Sequence, residues 1–248
     1  KLDWASVEPS IFGTLFERGL DPAKRSQLGA NFTDPATIMR LVEPVVQRPL
    51  RDEWSGHKAA VEKALGRSRK HGDKAYRHAQ AAFVGFLERL KAYRVLDPAC
   101  GSGNFLYLAL KALKDIEHQV NFEAEALGLE RQHDGTGPHN VLGIELNEYA
   151  AELARVTVWI GELQWRIDKG YAFKTRPVLE PLDHIECRDA LLSSVHPEVS
   201  KGRTLHRSVH WASTYPSFLK NKNSFYAPPE KSGQALQGWD VFLLQRLN

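Results

Sequence analysis

Short apolar runs alternate with longer stretches of helical periodicity through the middle of the chain. Runs at residues 93–96 and 141–144, and a third within residues 183–188, are typical of buried strands. Apolar residues at helical spacing follow the first run, from about residue 104 to 118, and the second, across residues 148–166. Residues 119–140 predict a helical insertion and a Gly/Pro loop. Strands that alternate with helices predict an α/β fold, doubly wound around a mostly parallel sheet.

The first ninety residues carry helical patterns and no strand pattern. Residues 11–19 predict a short amphipathic helix, and residues 27–33 predict a loop. Asp34 then has the position of an N-cap, with Pro35 as the first helical residue. Residues 51–93 are charged and helical in pattern. Their candidates for the core are Val61, Leu65, Phe83, Phe86, Leu87 and Leu90.

The pattern changes after about Ser193. Residues 201–248 have little periodicity and interleave aromatic residues with seven Lys or Arg against two acids. Such a segment suits a surface for single-stranded nucleic acid, or a tail unrelated to the preceding domain, which is the interpretation we favour. We therefore expect a helical lead over residues 1–92, an α/β core over residues 93–192, and an atypical basic and aromatic tail over residues 193–248. The C-terminal part of the fold is expected to be truncated or atypical.

Composition bounds the function without specifying it. At 248 residues, 42% of them hydrophobic, the chain suits one large α/β domain or a domain with an appendage. Two cysteines that are far apart in sequence argue against a disulfide scaffold or a zinc cluster, and no apolar run reaches the ~20 residues of a membrane span. We expect a cytoplasmic protein. The net charge of +3 is compatible with nucleic acid and not diagnostic of it.

One basic stretch stands out. Across residues 51–94 eleven Lys or Arg oppose five acids. We favour a solvated helix face over a DNA-contacting surface, because charge runs on helices are commonly solvated.

The clearest chemical feature is a glycine loop. The first apolar run ends in Asp97, and Gly101 and Gly103 follow before a helix opens at Asn104. The chain must turn tightly there, present bare backbone to a ligand, and begin a helix whose N-terminus favours an anion. The alternatives are a strand–turn–helix corner without a ligand and a dinucleotide-binding loop. The second is disfavoured because it needs a third glycine where Leu106 stands.

Two further acids follow the later strands. Glu145 comes at the end of the second apolar run, and Asp189 comes just after the third. Ligands of parallel α/β sheets bind outside the carboxyl ends of the strands. Asp97, Glu145 and Asp189 are therefore predicted to lie at one site.

These residues carry a resemblance to a known family. The Asp-x-x-x-Gly-x-Gly spacing of Asp97, Gly101 and Gly103 resembles motif I of class I S-adenosylmethionine methyltransferases. The string DPACGSGNFL is similar to that of amino-methylating DNA adenine methyltransferases. With SIFGTLFERGL, QLGANFT and VLGIELNEYAAELARVTVWIGELQW, about residues 8–192 resemble the large restriction–modification and phage-defence methyltransferases of the MmeI-like kind.

The resemblance implies S-adenosyl-L-methionine as cofactor and the exocyclic amine of adenine in double-stranded DNA as methyl acceptor. It assigns Asp97 to the methionine ammonium, Glu145 to the ribose hydroxyls and Asp189 to the adenine amino group. The QLGANFT loop is expected to close over the methionine. The implied cofactor-binding residues are Phe32, Thr33, Asp97, Ala99, Gly101, Gly103, Asn104, Glu145 and Asp189.

One part of the family pattern is missing. Such enzymes need a fourth strand that ends in Asn/Asp-Pro-Pro-Tyr/Phe, whose acceptors activate the target amine of a flipped base. The one Pro-Pro of this chain, at residues 228–229, is flanked by Ala227 and Glu230. No catalytic residue is therefore assigned. A missing C-terminal part or a second chain is expected to supply the motif and target recognition.

Three functional hypotheses stay open from the sequence. The leading one is the cofactor-binding portion of a DNA adenine methyltransferase. The second is a catalytically inactive fragment that binds S-adenosylmethionine or nucleic acid, and the third is a small-molecule methyltransferase. Loss of the later strands predicts an unpaired sheet edge, with marginal stability or self-association.

Overall fold

The centre of the molecule is a four-stranded parallel sheet in the order β3–β2–β1–β4. The computed structural model describes residues 7–11, 13, 19, 33–68, 70–132, 135–171, 181–190 and 241–242. Within these ranges the strands are β1 (Val95–Asp97), β2 (Val141–Glu145), β3 (Ile185–Cys187) and β4 (Val241–Phe242).

The helices of the described ranges come before and between these strands. Before the sheet lie α1 (Pro35–Val42), a π-helical turn (Glu43–Gln47), α2 (Arg48–Leu65) and α3 (Lys74–Ala92). Between the strands lie α4 (Asn104–Ala126), a 3-10 turn (Pro138–Asn140) and α5 (Glu148–Asp168).

Both faces of the sheet are apolar. Helices α4 and α5 pack against each other and both contact β2, so they cover the same face. Val95, Val141 and Ile185 join the main core on that face. Leu96 and Ile144, which alternate with them along the strands, form a second buried cluster with Leu142 and Ala190. Burial on both faces is typical of parallel sheets, and the predicted α/β fold around a parallel sheet is confirmed.

The helical lead follows its predicted pattern with one break. Asp34 caps α1 by accepting a hydrogen bond from the Thr37 backbone N–H at 3.0 Å, and all six predicted core residues between Val61 and Leu90 are buried. The predicted helical stretch 51–93 is divided into α2 and α3 by a turn in which Gly72 has a φ of +86°. Only glycine adopts that conformation without strain.

Ion pairs tie the charged helices to their neighbours. The Lys58 ammonium lies 3.0 Å from the Glu123 carboxylate of α4, and the Arg89 guanidinium lies 3.6 Å from Glu53 of α2. The pair with Glu123 thus balances one of the excess positive charges of residues 51–94, whereas Glu53 belongs to the same stretch.

Two elements differ from the sequence predictions. Helix α4 continues to Ala126, beyond the predicted end near His118, because its buried face extends through Val120 and Ala124. A fourth strand, which the sequence was not expected to provide, pairs Val241 with Val95 and Phe242 with Leu96. Two residues are too few for a periodicity to reveal them. An unpaired sheet edge was expected from loss of the later strands, and the structure instead pairs β4 with β1.

No helix in the described ranges combines the length and the apolar character that a bilayer crossing requires.

Candidate cofactor site

The three predicted acids lie at one edge of the sheet. Asp97 is the last residue of β1 and pairs with Gly143, two residues before the end of β2. Glu145 ends β2 and pairs with Cys187, the last residue of β3. The Arg188 N–H donates to the Glu145 carbonyl at 2.9 Å, and Asp189 follows directly. The strand register therefore places these acids at the carboxyl edge of the sheet, as the sequence predicts.

The glycine loop is folded against the neighbouring strand and helix. The Cys100 N–H donates to the Ile144 carbonyl of β2 at 3.0 Å, and the Gly103 N–H donates to the Cys100 carbonyl at 2.9 Å. Gly101 and Gly103 have φ values of +52° and +84°, so both occupy the left-handed region that disfavours a side chain. The space beside the Gly101 Cα is open within 4 Å, which leaves backbone accessible to a ligand.

Glu145 connects β2 to this loop through both carboxylate oxygens. Its Oε2 accepts a hydrogen bond from the Gly101 N–H at 2.8 Å, and its Oε1 accepts one from the Asn147 N–H at 2.9 Å. Sequence analysis did not anticipate these bonds. A carboxylate has about four acceptor positions, so Glu145 keeps capacity for two further donors such as the hydroxyls of a ribose.

Asp97 is a buried carboxylate with spare acceptor capacity. The residue is fully buried, its Oδ1 accepts from the Ala99 N–H at 3.1 Å, and its Oδ2 has no hydrogen-bond partner among the described residues. Burial, with a smaller effect from the Glu145 charge, raises the pKa of Asp97 to about 7, against the opposing Ala99 hydrogen bond. A cationic donor would satisfy Oδ2 and stabilise the ionised form.

Asn104 adds a second acceptor at the start of α4. Its side chain is buried, and its Oδ1 has no partner within the described ranges. Buried polar atoms are normally hydrogen-bonded. The loop region thus holds two unsatisfied oxygens beside open backbone, which fits a ligand that brings ammonium and hydroxyl donors.

The remaining predicted site residues are placed less closely. Asp189 is half-buried just beyond β3. Thr33 is half-buried directly before α1, and α1 packs against α4. Phe32 lies outside the described residues. Two hydrogen bonds connect predicted site residues, one between Asp97 and Ala99 and one between Gly101 and Glu145. Gly103 and Asn104 lie next to these residues along the chain. Asp189 is brought to the same edge by the register of β3.

The two cysteines are not part of the predicted chemistry. Cys100 is buried, and burial raises the pKa of its thiol well above the ordinary value, which makes it a poor nucleophile. A Cβ built on Gly143 would lie 2.8 Å from the Cys100 sulfur. Cys100 therefore fills the space between the loop and β2. The described residues contain no cluster of three or more side chains able to hold a metal ion.

An N-terminal contact with the loop was missed by sequence analysis. Gly13 is buried, and a Cβ built on it would lie 2.3 Å from Ser102 Oγ. The available signal was a glycine inside the apolar string SIFGTLF, which interrupts a helical pattern where alanine would be preferred.

A solved structure is similar to this chain in fold. The chain is similar to the type IIL restriction–modification enzyme MmeI, solved in complex with DNA, with a TM-score of 0.56 and 28% sequence identity. The match covers 71% of this chain and 22% of that one.

Two curated relatives are similar in sequence. DNA methyltransferase A of Bacillus subtilis is 27% identical over 164 residues, which are 66% of this chain and 16% of the relative. A putative type II restriction enzyme and methyltransferase of Methanocaldococcus jannaschii is 26% identical over 172 residues, 64% of this chain and 14% of the relative. The chain thus spans about a sixth of the length of these relatives.

The family model for the DNA-methyltransferase domain of MmeI matches residues 72–224. That range includes β1, β2, β3 and the three acids. It also continues past Ser193, where the sequence pattern was expected to leave the family. Because the match takes in more than half of the chain, this protein belongs to the MmeI DNA-methyltransferase domain family.

Proposed function

We propose that the chain binds S-adenosyl-L-methionine at the carboxyl edge of its sheet, as the cofactor-binding part of a restriction–modification DNA adenine methyltransferase. The observation that carries the proposal is the buried Asp97 carboxylate, whose Oδ2 lacks a partner among the described residues beside the open backbone of Gly101. A cationic ligand that approaches along the glycine loop can donate to Asp97 Oδ2 and contact the exposed backbone of Gly101.

Each residue has a defined role in this proposal. Asp97 accepts from the methionine ammonium, and the spare acceptor positions of Glu145 receive the two ribose hydroxyls as charge-assisted hydrogen bonds. Asp189 accepts from the adenine amino group at the adjacent strand end. Thr33 and Phe32 precede α1 and close over the methionine end. When bound, the cofactor supplies an electrophilic methyl group on its sulfonium.

The acceptor half of the reaction is proposed to come from elsewhere. In the family the carboxyl end of the fourth strand carries Asn/Asp-Pro-Pro-aromatic, and here the residues after Phe242 are Leu243, Leu244, Gln245 and Arg246. We propose that a separate segment supplies this motif and reads the DNA target. A second candidate function is a protein that binds the cofactor without transferring its methyl group. The absence of Asn/Asp-Pro-Pro-aromatic from residues 1–248 favours it.

Calorimetric titration of the 248-residue chain with S-adenosylmethionine tests the cofactor half. Saturable binding is expected, and Glu145→Ala should weaken it by about 1.5–3 kcal/mol, the range for hydrogen bonds to a charged group. Glu148→Ala is the matched control because it removes an exposed carboxylate three residues away. A folded wild-type chain that does not bind would contradict the proposal.

A cofactor analogue separates the ribose contact of Glu145 from its loop contact. With S-adenosylhomocysteine whose ribose lacks both hydroxyls, wild-type affinity should fall and Glu145→Ala should cause little further loss. If the substitution weakens both ligands equally, Glu145 acts through Gly101 and not through the ribose.

Transfer of a labelled methyl group distinguishes the two candidate functions. The chain is mixed with duplex DNA and a second chain that carries Asn-Pro-Pro-Tyr at a fourth-strand end. Label in N6-methyladenine only on mixing supports the methyltransferase assignment. Label on cytosine contradicts adenine specificity, and saturable cofactor binding without transfer under any combination favours the second candidate.

A further inference from the structure

The chain before α1 touches the glycine loop at one residue. A Cβ placed on Gly13 would stand 2.3 Å from Ser102 Oγ and 3.1 Å from Asn104 Nδ2. Real Cβ atoms do not approach a neighbour as closely as 2.3 Å. Glycine at position 13 therefore allows an approach to the loop that a side chain would prevent without movement of Ser102.

The same segment is anchored at two other points. The Val7 carbonyl accepts a hydrogen bond from Gln164 Nε2 of α5 at 2.6 Å. Glu8 hydrogen-bonds the Tyr107 side chain in the first turn of α4, and burial, ahead of this contact, raises the pKa of Tyr107 to about 12. Residues 7–11 and 13, which we call the N-terminal segment, thus contact both helices that flank the loop and the loop itself.

Ser102 lies between the two left-handed glycines of the loop. The Gly101 N–H before it bonds Glu145, and Gly103 after it sits against α5. A displacement of the Ser102 backbone would therefore move backbone that contacts the acid at the end of β2. The N-terminal segment lies outside residues 72–224, so this contact is additional to the matched family domain.

We propose that Gly13 is a positioning residue for the cofactor site. By allowing the N-terminal segment to lie against Ser102 and Asn104, it holds the glycine loop in the conformation that receives the cofactor. Docking of the segment and binding of the cofactor then favour each other, because coupling between sites is reciprocal. The inference rests on the proposed function, since it takes S-adenosylmethionine as the ligand of the loop.

A double-mutant cycle tests the contact. Titration of the 248-residue chain with S-adenosylmethionine is done for wild type, Gly13→Ala, Ser102→Ala and the double variant. Gly13→Ala should weaken binding roughly tenfold, about 1.4 kcal/mol. In the Ser102→Ala background, where the colliding Oγ is absent, the same substitution should cost less than about twofold.

Gly19→Ala is the matched control. It is a second exchange of glycine for alanine near the N-terminus, but a Cβ at Gly19 meets nothing within 4 Å. Its affinity should equal that of the wild type. None of residues 7–11 and 13 belongs to the buried apolar clusters, so the segment can shift without opening the core. Thermal unfolding without cofactor should therefore give Gly13→Ala and Gly19→Ala similar midpoints, which a merely structural role for Gly13 would not.

The outcomes separate this inference from the proposed function. Unchanged affinity in Gly13→Ala overturns the inference, and so does an equal loss in both Ser102 backgrounds. Absence of binding by folded wild type overturns the proposed function and the inference with it. If Gly13→Ala fails to fold, Glu8→Ala replaces it, since it loosens the segment without adding atoms. A loss of a few-fold is then expected, and unchanged affinity overturns the inference.

Discussion

Gly103 packs directly on the backbone of Ala154, so closely that a Cβ on Gly103 would lie 2.8 Å from the Ala154 Cα. The contact joins the glycine loop to α5, and the left-handed φ of +84° at Gly103 makes it possible. The atom nearest to that Cβ belongs to the Ala154 backbone, so no flexible side chain can move to make room for it.

Three glycine-to-alanine variants separate the backbone strain of a left-handed alanine from the collision of the added methyl group with a neighbour. Gly128→Ala and Gly101→Ala introduce a left-handed alanine into open space, so each should lower the free energy of unfolding by about 1–2 kcal/mol. Gly103→Ala should cost about 1–3 kcal/mol more because it also collides with Ala154. Urea denaturation measures the three. Equal losses would show that α5 yields to the added methyl group.

Gly161 and Tyr107 form a second close contact between α4 and α5. A Cβ on Gly161 would stand 2.2 Å from Tyr107 Cδ2, so Gly161→Ala should destabilise the fold by about 1–3 kcal/mol. Gly56→Ala is the control, because position 56 is an exposed site in α2 with open space. That substitution should stabilise the fold by about 0.5–1 kcal/mol. The prediction fails if both variants have the same stability.

Asp97 predicts a pH dependence of stability. Its pKa is about 7 in the folded protein and 3.8 in the reference state, so the folded chain binds more protons between these values. Its contribution to stability is therefore present below about pH 4 and is lost as the pH rises to about 7. Asp97→Asn, which resembles the protonated form, should flatten this slope. Urea denaturation between pH 5 and pH 8 compares the two proteins, and parallel curves would contradict the prediction.

The buried pair of Lys114 and Glu162 predicts an asymmetry between two substitutions. Both side chains are almost completely buried and 3.0 Å apart, and the Arg166 Nε also donates to Glu162 at 2.6 Å. Glu162→Leu leaves the Lys114 ammonium with the Thr136 carbonyl at 3.4 Å and the face of Trp165. It should cost about 3–5 kcal/mol.

Lys114→Met should cost less, because Glu162 keeps the Arg166 guanidinium. Chemical denaturation of both variants, with the double variant to measure their coupling, checks the order. A larger loss for Lys114→Met would show that Arg166 does not compensate the buried carboxylate.

Sequence predicted the parts of the fold that depend on local pattern. The buried strand before Asp97, the N-cap at Asp34 and the convergence of Asp97 and Glu145 all follow from periodicity, capping and the geometry of parallel sheets. Helix was predicted within residues 119–140, but its continuity with α4 was missed. Phe122 is apolar and yet 62% exposed, so an apolar residue away from the buried face blurs the helical periodicity beyond His118.

Contacts between distant parts of the chain were not predictable. Nothing in the residues around Glu145 indicates that its carboxylate accepts from the Gly101 N–H, since 44 residues separate them. The approach of Gly13 to Ser102 likewise depends on how the chain before α1 crosses the glycine loop. The roles of Asp189, Thr33 and Phe32 toward a cofactor remain predictions.

The pairing of Val95 with Val241 has a consequence for the order in which the protein is built. β1 is synthesised early. It can pair with β2 and pack against α4 while later residues are still being synthesised. β4 emerges last among the described elements and must find an already folded neighbour. Contacts of such long sequence separation form slowly, so the flank of β1 next to Asp97 stays open to solvent until residues 241–242 have been synthesised. The edge of the sheet beside the candidate cofactor site is thus completed by a segment about 145 residues further along the chain than β1.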